Sequence, residues 1–180
     1  FISIDCGGVE EGYVDTTTNI SYTSDSNIMK FGERRTIASD YISSVSQYLQ
    51  HLRSFPNGTR NCYTVQPVIS GVKYLLRASF MYGNYDGLNS FPQFELSVGV
   101  NSVRTITSSN SSKWLFVEVM LVPTDTYVSV CLLKTTTGIP FISSIELRPM
   151  NGTGYKILND TTAMVLERRL NFGTTDAVTY

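Results

Sequence analysis

Trp114-Leu-Phe-Val-Glu-Val-Met-Leu-Val122, the turn Pro123-Thr-Asp125 and the run Tyr127-Val-Ser-Val-Cys-Leu-Leu-Lys134 decide the fold class. Both runs are rich in apolar, β-branched residues, which fit a pleated and half-buried surface. The Pro-Thr-Asp segment between them supplies turn chemistry. Working outward, the same signature recurs at Phe1–Asp5, Cys62–Val68, Tyr74–Tyr82, Phe94–Val100 and Phe141–Arg148. Polar breakers separate these runs at Ser70-Gly71, Asp86-Gly87, Ser108-Ser-Asn-Ser-Ser112 and Thr137-Gly-Ile-Pro140. Many short strands with polar turns predict an all-β sandwich or barrel. One segment departs from the pattern. In Asp40–Leu52 the apolar residues Ile42, Val45, Leu49 and Leu52 follow helical spacing, so a short helix and an irregular crossing segment are both open there.

The chain has 180 residues, of which 42% are hydrophobic, enough for one domain with a real core. Fourteen basic and 15 acidic residues are mixed along it, and the formal charge is -1. That balance gives no electrostatic footprint for nucleic acid or an anionic membrane. No apolar run approaches the roughly 20 residues that span a bilayer. The chain opens directly on a strand-like segment with no visible signal peptide, and reads as a trimmed piece of something longer.

Five Asn-X-Ser/Thr sequons, at Asn19, Asn57, Asn110, Asn151 and Asn159, point to the secretory pathway. Composition alone would give about 2.5 such N-glycan motifs. Of three cysteines, Cys62 and Cys131 each lie in a strand-like run, and antiparallel neighbours would bring them together. This pairing is preferred, with three reduced and buried thiols as the alternative. It would close a loop of about 70 residues, stabilising by roughly 4 kcal/mol on the chain-entropy model. Cys6 then serves as a small buried apolar residue. No Cys-x-x-Cys pair is present and His51 is the sole histidine, so neither a metal site nor a cofactor is expected.

Catalysis finds little support. A glycosidase needs two carboxylates across a cleft, and Asp86 with Glu95 is the one pair to consider. Glu95, however, lies inside a strand-like run. A single histidine with no Gly-x-Ser-x-Gly motif makes no hydrolase triad, and no phosphate-binding glycine loop is present.

Five motifs resemble one family when taken in order. They are Ile2-Ser-Ile-Asp-Cys-Gly-Gly8, Arg53-Ser-Phe-Pro56, Arg60-Asn-Cys-Tyr63, Tyr82-Gly-Asn-Tyr-Asp-Gly-Leu88 and Pro140-Phe-Ile-Ser-Ser-Ile-Glu-Leu-Arg-Pro149. Together they resemble the malectin-like ectodomain of plant leucine-rich-repeat receptor kinases, over essentially the whole chain. The resemblance implies a jelly-roll β-sandwich, similar to animal malectin and to galactose-binding-like modules. It implies two tandem lobes on the extracellular side of the plasma membrane, with the kinase elsewhere in the receptor. Residues 1–150 are then expected to form the first lobe and 151–165 the connector. Residues 166–180, whose Leu166-Glu-Arg-Arg-Leu-Asn-Phe-Gly173 echoes Ile2-Ser-Ile-Asp-Cys-Gly7, would open the second.

Within these motifs, Tyr82, Tyr85 and Asp86 are the expected carbohydrate contacts. Two aromatic rings and a carboxylate on a glycine-flexed loop suit a sugar's C–H face and hydroxyls. The resemblance to animal malectin carries over most directly to Tyr82. The alternative is that the three merely shape a turn. The expected ligand is a cell-wall glycan of β-glucan or cello-oligomer type. The alternative partner is a secreted peptide or a co-receptor ectodomain, and a third reading is a rigid spacer packed on its partner lobe. Asp25 reads as a solvated acid, and Arg53 as a brace paired with a carboxylate. Trp114 reads as a core or glycan-packed ring, and Glu146 as structural beside Arg148.

Overall fold

The structure, a computed structural model, describes residues 1–9, 11–135, 138–150 and 155–167. Its described strands are β1 (Ile2–Asp5), β2 (Tyr13–Asp15), β3 (Ile20–Ser24), β4 (Glu33–Thr36), β5 (His51–Ser54), β6 (Arg60–Val65) and β7 (Tyr74–Phe80). They continue with β8 (Phe94–Val98), β9 (Asn101–Ile106), β10 (Leu115–Leu121), β11 (Val128–Lys134), β12 (Phe141–Ile142), β13 (Ser144–Pro149) and β14 (Met164–Val165). The all-β expectation holds.

A seven-stranded sheet runs β14-β10-β7-β13-β1-β3-β2, and a four-stranded sheet runs β6-β11-β8-β9. A short three-stranded sheet, β12-β5-β4, accompanies them. The two runs that decided the fold class fall into different sheets, β10 in the large one and β11 in the small one. Strands adjacent in sequence thus cross between layers, as in a β-sandwich of jelly-roll type.

Alternation along the strands sorts the side chains. Across the large sheet, Ile4 faces Ile145, Ile145 faces Ala78 and Ala78 faces Val117, all buried in the core. One residue along, Ser3, Glu146, Arg77 and Glu118 form the corresponding row on the outer face. From the other sheet come Tyr63, Leu96, Val130 and Leu132. Three rings join the layers: Phe80 and Phe94 lie 5.7 Å apart between centroids, and Phe141 lies 5.5 Å from Phe94.

The helical spacing in Asp40–Leu52 yields a mixture. Ser39–Ile42 forms a four-residue helix (α1), Gln47–Leu49 a single 3-10 turn, and His51–Ser54 the strand β5. Leu49 and Leu52 are buried, but Ile42 and Val45 only partly so, because the segment lies across the layers rather than standing as an amphipathic helix.

Asp25 is a correction. The solvated acid is fully buried. Its Oδ2 accepts from Arg53 Nε at 2.5 Å and from the Tyr63 hydroxyl at 2.8 Å. Its Oδ1 accepts from Arg53 Nη2 at 2.6 Å and from the Gly7 amide at 3.0 Å. A carboxylate leaves water only when its charge and lone pairs are met, and here four donors meet them. Gly7 reaches the site through φ +83°, and a Cβ there would lie 2.3 Å from the Leu52 carbonyl oxygen. Arg53 pairs as expected. The hydrogen bond to Asp25 is the main cause that holds its guanidinium above its ordinary pKa. Cys6 is buried beside the same cluster, and burial first, then the Asp25 carboxylate, pushes its thiol well above the ordinary value.

The Cys62–Cys131 disulfide is present, between residues directly opposite each other on β6 and β11. Residues 168–180 and the sequon Asn151 lie outside the described residues. Met164–Val165, from the expected connector, pairs antiparallel with Val119–Met120 of β10.

Asp25→Ala leaves a buried guanidinium unpaired and is expected to cost about 3–5 kcal/mol in denaturant unfolding. Asp25→Leu combined with Arg53→Met recovers much of that loss, because neither charge then remains alone. Replacing Cys62 and Cys131 together by alanine lowers the unfolding free energy by about 4 kcal/mol, read by the same titration.

Candidate functional site

The loop after β7 begins at Met81 and returns to β8. Tyr82 is wholly buried, Tyr85 half-buried and Asp86 exposed. The Tyr82 ring stands 5.5 Å from Tyr85, 5.7 Å from Phe91 and 6.1 Å from Phe141 between centroids. These rings are the end of the aromatic core and not a platform beside it. The Tyr82 hydroxyl donates to Asp86 Oδ1 and accepts from the Ser90 amide at 3.2 Å. Asp86 Oδ1 also accepts from the Leu88 amide at 3.0 Å, and Asn84 Oδ1 from the Asn89 amide at 2.8 Å. Gly83, at φ +48°, is held from both sides: its amide donates to the Ser111 carbonyl and its carbonyl accepts from Ala38. A Cβ on Gly83 would lie 2.5 Å from Ile37 Cβ, so glycine is required by close approach as well as by φ.

Tyr82 therefore offers no open ring face in this arrangement, while Tyr85 keeps part of its surface exposed. A short loop that must bury its apolar rings turns its polar groups onto one another. Burial, then the bond to Asp86, pushes the Tyr82 hydroxyl up to about 12. Burial likewise raises Tyr85, whose hydroxyl has no partner among the described residues. The loop shows residues 86–90 to solvent, with Asn84 and Tyr85 partly exposed beside them.

The remaining candidates are distributed. Glu95 accepts from Ser102 on the neighbouring strand and is not brought together with Asp86 as a catalytic pair by any hydrogen bond among the described residues. His51 Nδ1 lies 3.2 Å from Asp5 Oδ2, which also accepts from the Tyr13 hydroxyl at 3.0 Å. Glu146 is structural, as expected: buried, paired with Arg148, and accepting from the Tyr22 hydroxyl at 2.9 Å. Among the described residues no group of three or more His, Cys, Asp and Glu could hold a metal ion.

Sequence reasoning missed the organisation of the outer face of the large sheet. Tyr13, Tyr22 and Tyr48 stack there at 5.8 and 5.0 Å between centroids. Arg77 pairs with the buried Glu118 at 2.7 Å and lies 5.2 Å over the Phe116 ring, while Arg148 lies 5.1 Å over Phe1. The signal was present in the alternation Glu146, Arg148 and Arg77, but which strands lie side by side is not in the local pattern. Asn19, Asn57, Asn110 and Asn159 are all exposed.

A β-sandwich in which one disulfide cysteine (Cys62), the buried arginine brace (Arg53) and the post-strand tyrosine loop fall within the five motifs defines a class. The malectin-like domain family matches residues 4–180, and the chain belongs to that family. Among its relatives are two probable LRR receptor-like serine/threonine-protein kinases of Arabidopsis thaliana. One is 43% identical over 172 residues, 94% of this chain and 20% of the relative. The other is 42% identical over 177 residues, 96% of this chain and 19% of the relative. The chain thus spans about a fifth of the length of the curated relatives it matches. The ANX2 ectodomain from Arabidopsis thaliana shares the fold at TM-score 0.70 and 21% identity, over 83% of this chain and 42% of that one. A structure of the plant peptide RALF23 in complex with FER and LLG2 contains a chain matching at TM-score 0.66 and 16% identity, over 91% and 46%.

Tyr82→Phe removes the hydroxyl that ties Asp86 and Ser90, and is expected to cost about 1–2 kcal/mol in denaturant unfolding. A pKa near 12 in the folded protein against 10 for the free side chain sets the pH window. The raised value means the Tyr82 contribution is complete below pH 10 and is lost as pH rises through about 12. The stability gap between wild type and Tyr82→Phe should therefore close across that alkaline range.

Proposed function

We propose that this chain is the extracellular recognition lobe of a plant cell-surface receptor kinase, and that its ligand is a protein. The partner is a secreted peptide or a co-receptor ectodomain rather than a cell-wall glycan. The observation that carries the choice is the closed Tyr82 loop, where the rings a sugar would stack on are packed among Phe91 and Phe141. Binding a sugar there would require unmaking four hydrogen bonds within the loop before any could be made to hydroxyls. The peptide complex of the structurally similar FER supports the same preference. Receptor-kinase relatives and exposed sequons support the extracellular side of the plasma membrane. No described helix is long and apolar enough to cross a membrane. Residues 166–180 are read as the opening of a second malectin-like lobe, reached by the connector 151–165, whose far end returns to β10.

The test uses the glycosylated two-lobe ectodomain. Interferometry against a library of secreted plant peptides and co-receptor ectodomains is expected to give saturable binding that survives Asp86→Ala. Calorimetric titration with cello-oligomers to millimolar concentration is expected to give no heat. Saturable cello-oligomer binding that disappears in Asp86→Ala, with no peptide or ectodomain bound, would reverse the assignment.

A further inference from the structure

Trp114, just before β10, and Phe116, within it, alternate onto one face and are 42% and 44% exposed. Their centroids lie 5.4 Å apart at 30° between planes, forming one shallow aromatic surface. Arg77, fixed by Glu118, backs Phe116 and holds the surface in place. The two partly exposed rings, side by side, form one continuous apolar patch.

The adjoining turn carries the sequon Asn110-Ser-Ser112. The Asn110 Oδ1 accepts from the Ser112 amide at 2.9 Å and from the Ser112 hydroxyl at 2.6 Å, which leaves Nδ2 as the uncommitted atom of the side chain. The Lys113 amide donates to the Asn110 carbonyl at 3.4 Å, closing a turn. Such a turn holds its end residues within about 7 Å. Trp114 follows immediately, so a sugar pair linked at Asn110 spans the distance to the rings. The Ser111 carbonyl accepts from the Gly83 amide, which fastens this turn to the core.

We propose that Asn110 carries an N-glycan whose first N-acetylglucosamine units lie on the Trp114–Phe116 surface and cover it. The proposal rests on the extracellular reading above. In the attachment step Nδ2 forms a bond to the sugar C1 as the C1–O bond to a lipid-pyrophosphate donor breaks. The pyrophosphate leaves with the electron pair, and Nδ2 loses one proton. In the product, the apolar C–H face and acetyl methyl of the sugars meet the ring faces, while their hydroxyls remain in water.

Trp114 is the only tryptophan, so its fluorescence reads this surface alone. The test uses the chain secreted from plant cells, with glycopeptide mapping and acrylamide quenching before and after native enzymatic deglycosylation. A glycan is expected at Asn110. Its removal, or Asn110→Gln, should shift Trp114 emission to the red and raise its quenching constant at unchanged circular dichroism. Thr161→Ala, which removes only the sequon at Asn159, should do neither. A secreted chain glycosylated at other sequons but bare at Asn110 overturns the proposal and leaves the extracellular reading standing. Identical quenching with and without the Asn110 glycan overturns it too, leaving the rings open to a partner protein. Absence of glycan from every sequon sinks the extracellular reading and the proposal with it.

Discussion

The structure depends on one buried charge pair. Asp25 and Arg53 sit between the strand β5 and the start of the chain, out of contact with bulk water, and are joined by Tyr63 and the Gly7 amide. A lone buried carboxylate or guanidinium would be intolerable at this depth, so the pair acts as a geometric constraint more than as a source of net stability. Four segments far apart in sequence must arrive together for the four bonds to form. That requirement fixes where β5, β6 and the turn after β1 lie relative to each other, and with them the short sheet β12-β5-β4. It also accounts for two residue types at once: Gly7, which must pass the Leu52 carbonyl, and Cys6, small enough to fit beside the cluster.

The loop at Tyr82 is organised on the opposite principle. It holds no buried ion pair among the described residues; apart from the Tyr85 hydroxyl, its buried polar groups bond to one another and to backbone amides, while its rings extend the cluster around Phe141. The same composition of tyrosine, aspartate and asparagine would serve a sugar site if the rings faced outward. Whether they do depends on the space left by Phe91, later in the same loop, and by Phe141, which arrives from β12. A family-level reading of the Tyr82 motif could identify the loop but could not orient it.

The two sheets also divide labour. The inner faces are filled by Ile, Leu, Val and Phe in register across strands. On the outer face of the large sheet, Arg77 and Arg148 are each paired with a glutamate and laid over an aromatic ring. This keeps a charged face rigid without leaving charges free, and it sets the margin on which the Trp114–Phe116 pair and the Asn110 turn meet.

The sequence by itself determined the all-β class, seven of the strand regions and the family, and it favoured the Cys62–Cys131 pair that the structure shows. Alternation, turn chemistry and ordered motifs are local and survive without coordinates. It did not reveal the short strands at Tyr13–Asp15 and Glu33–Thr36, where burial is slight and a period of two is hard to recognise. Nor did it reveal that Asp25 is buried, since an acid among polar residues looks solvated until its partner 28 positions away is placed beside it. Only the tertiary structure decided which faces of Tyr82 and Tyr85 are covered, because burial is a property of what other segments pack against a side chain and not of the side chain's own neighbours in sequence.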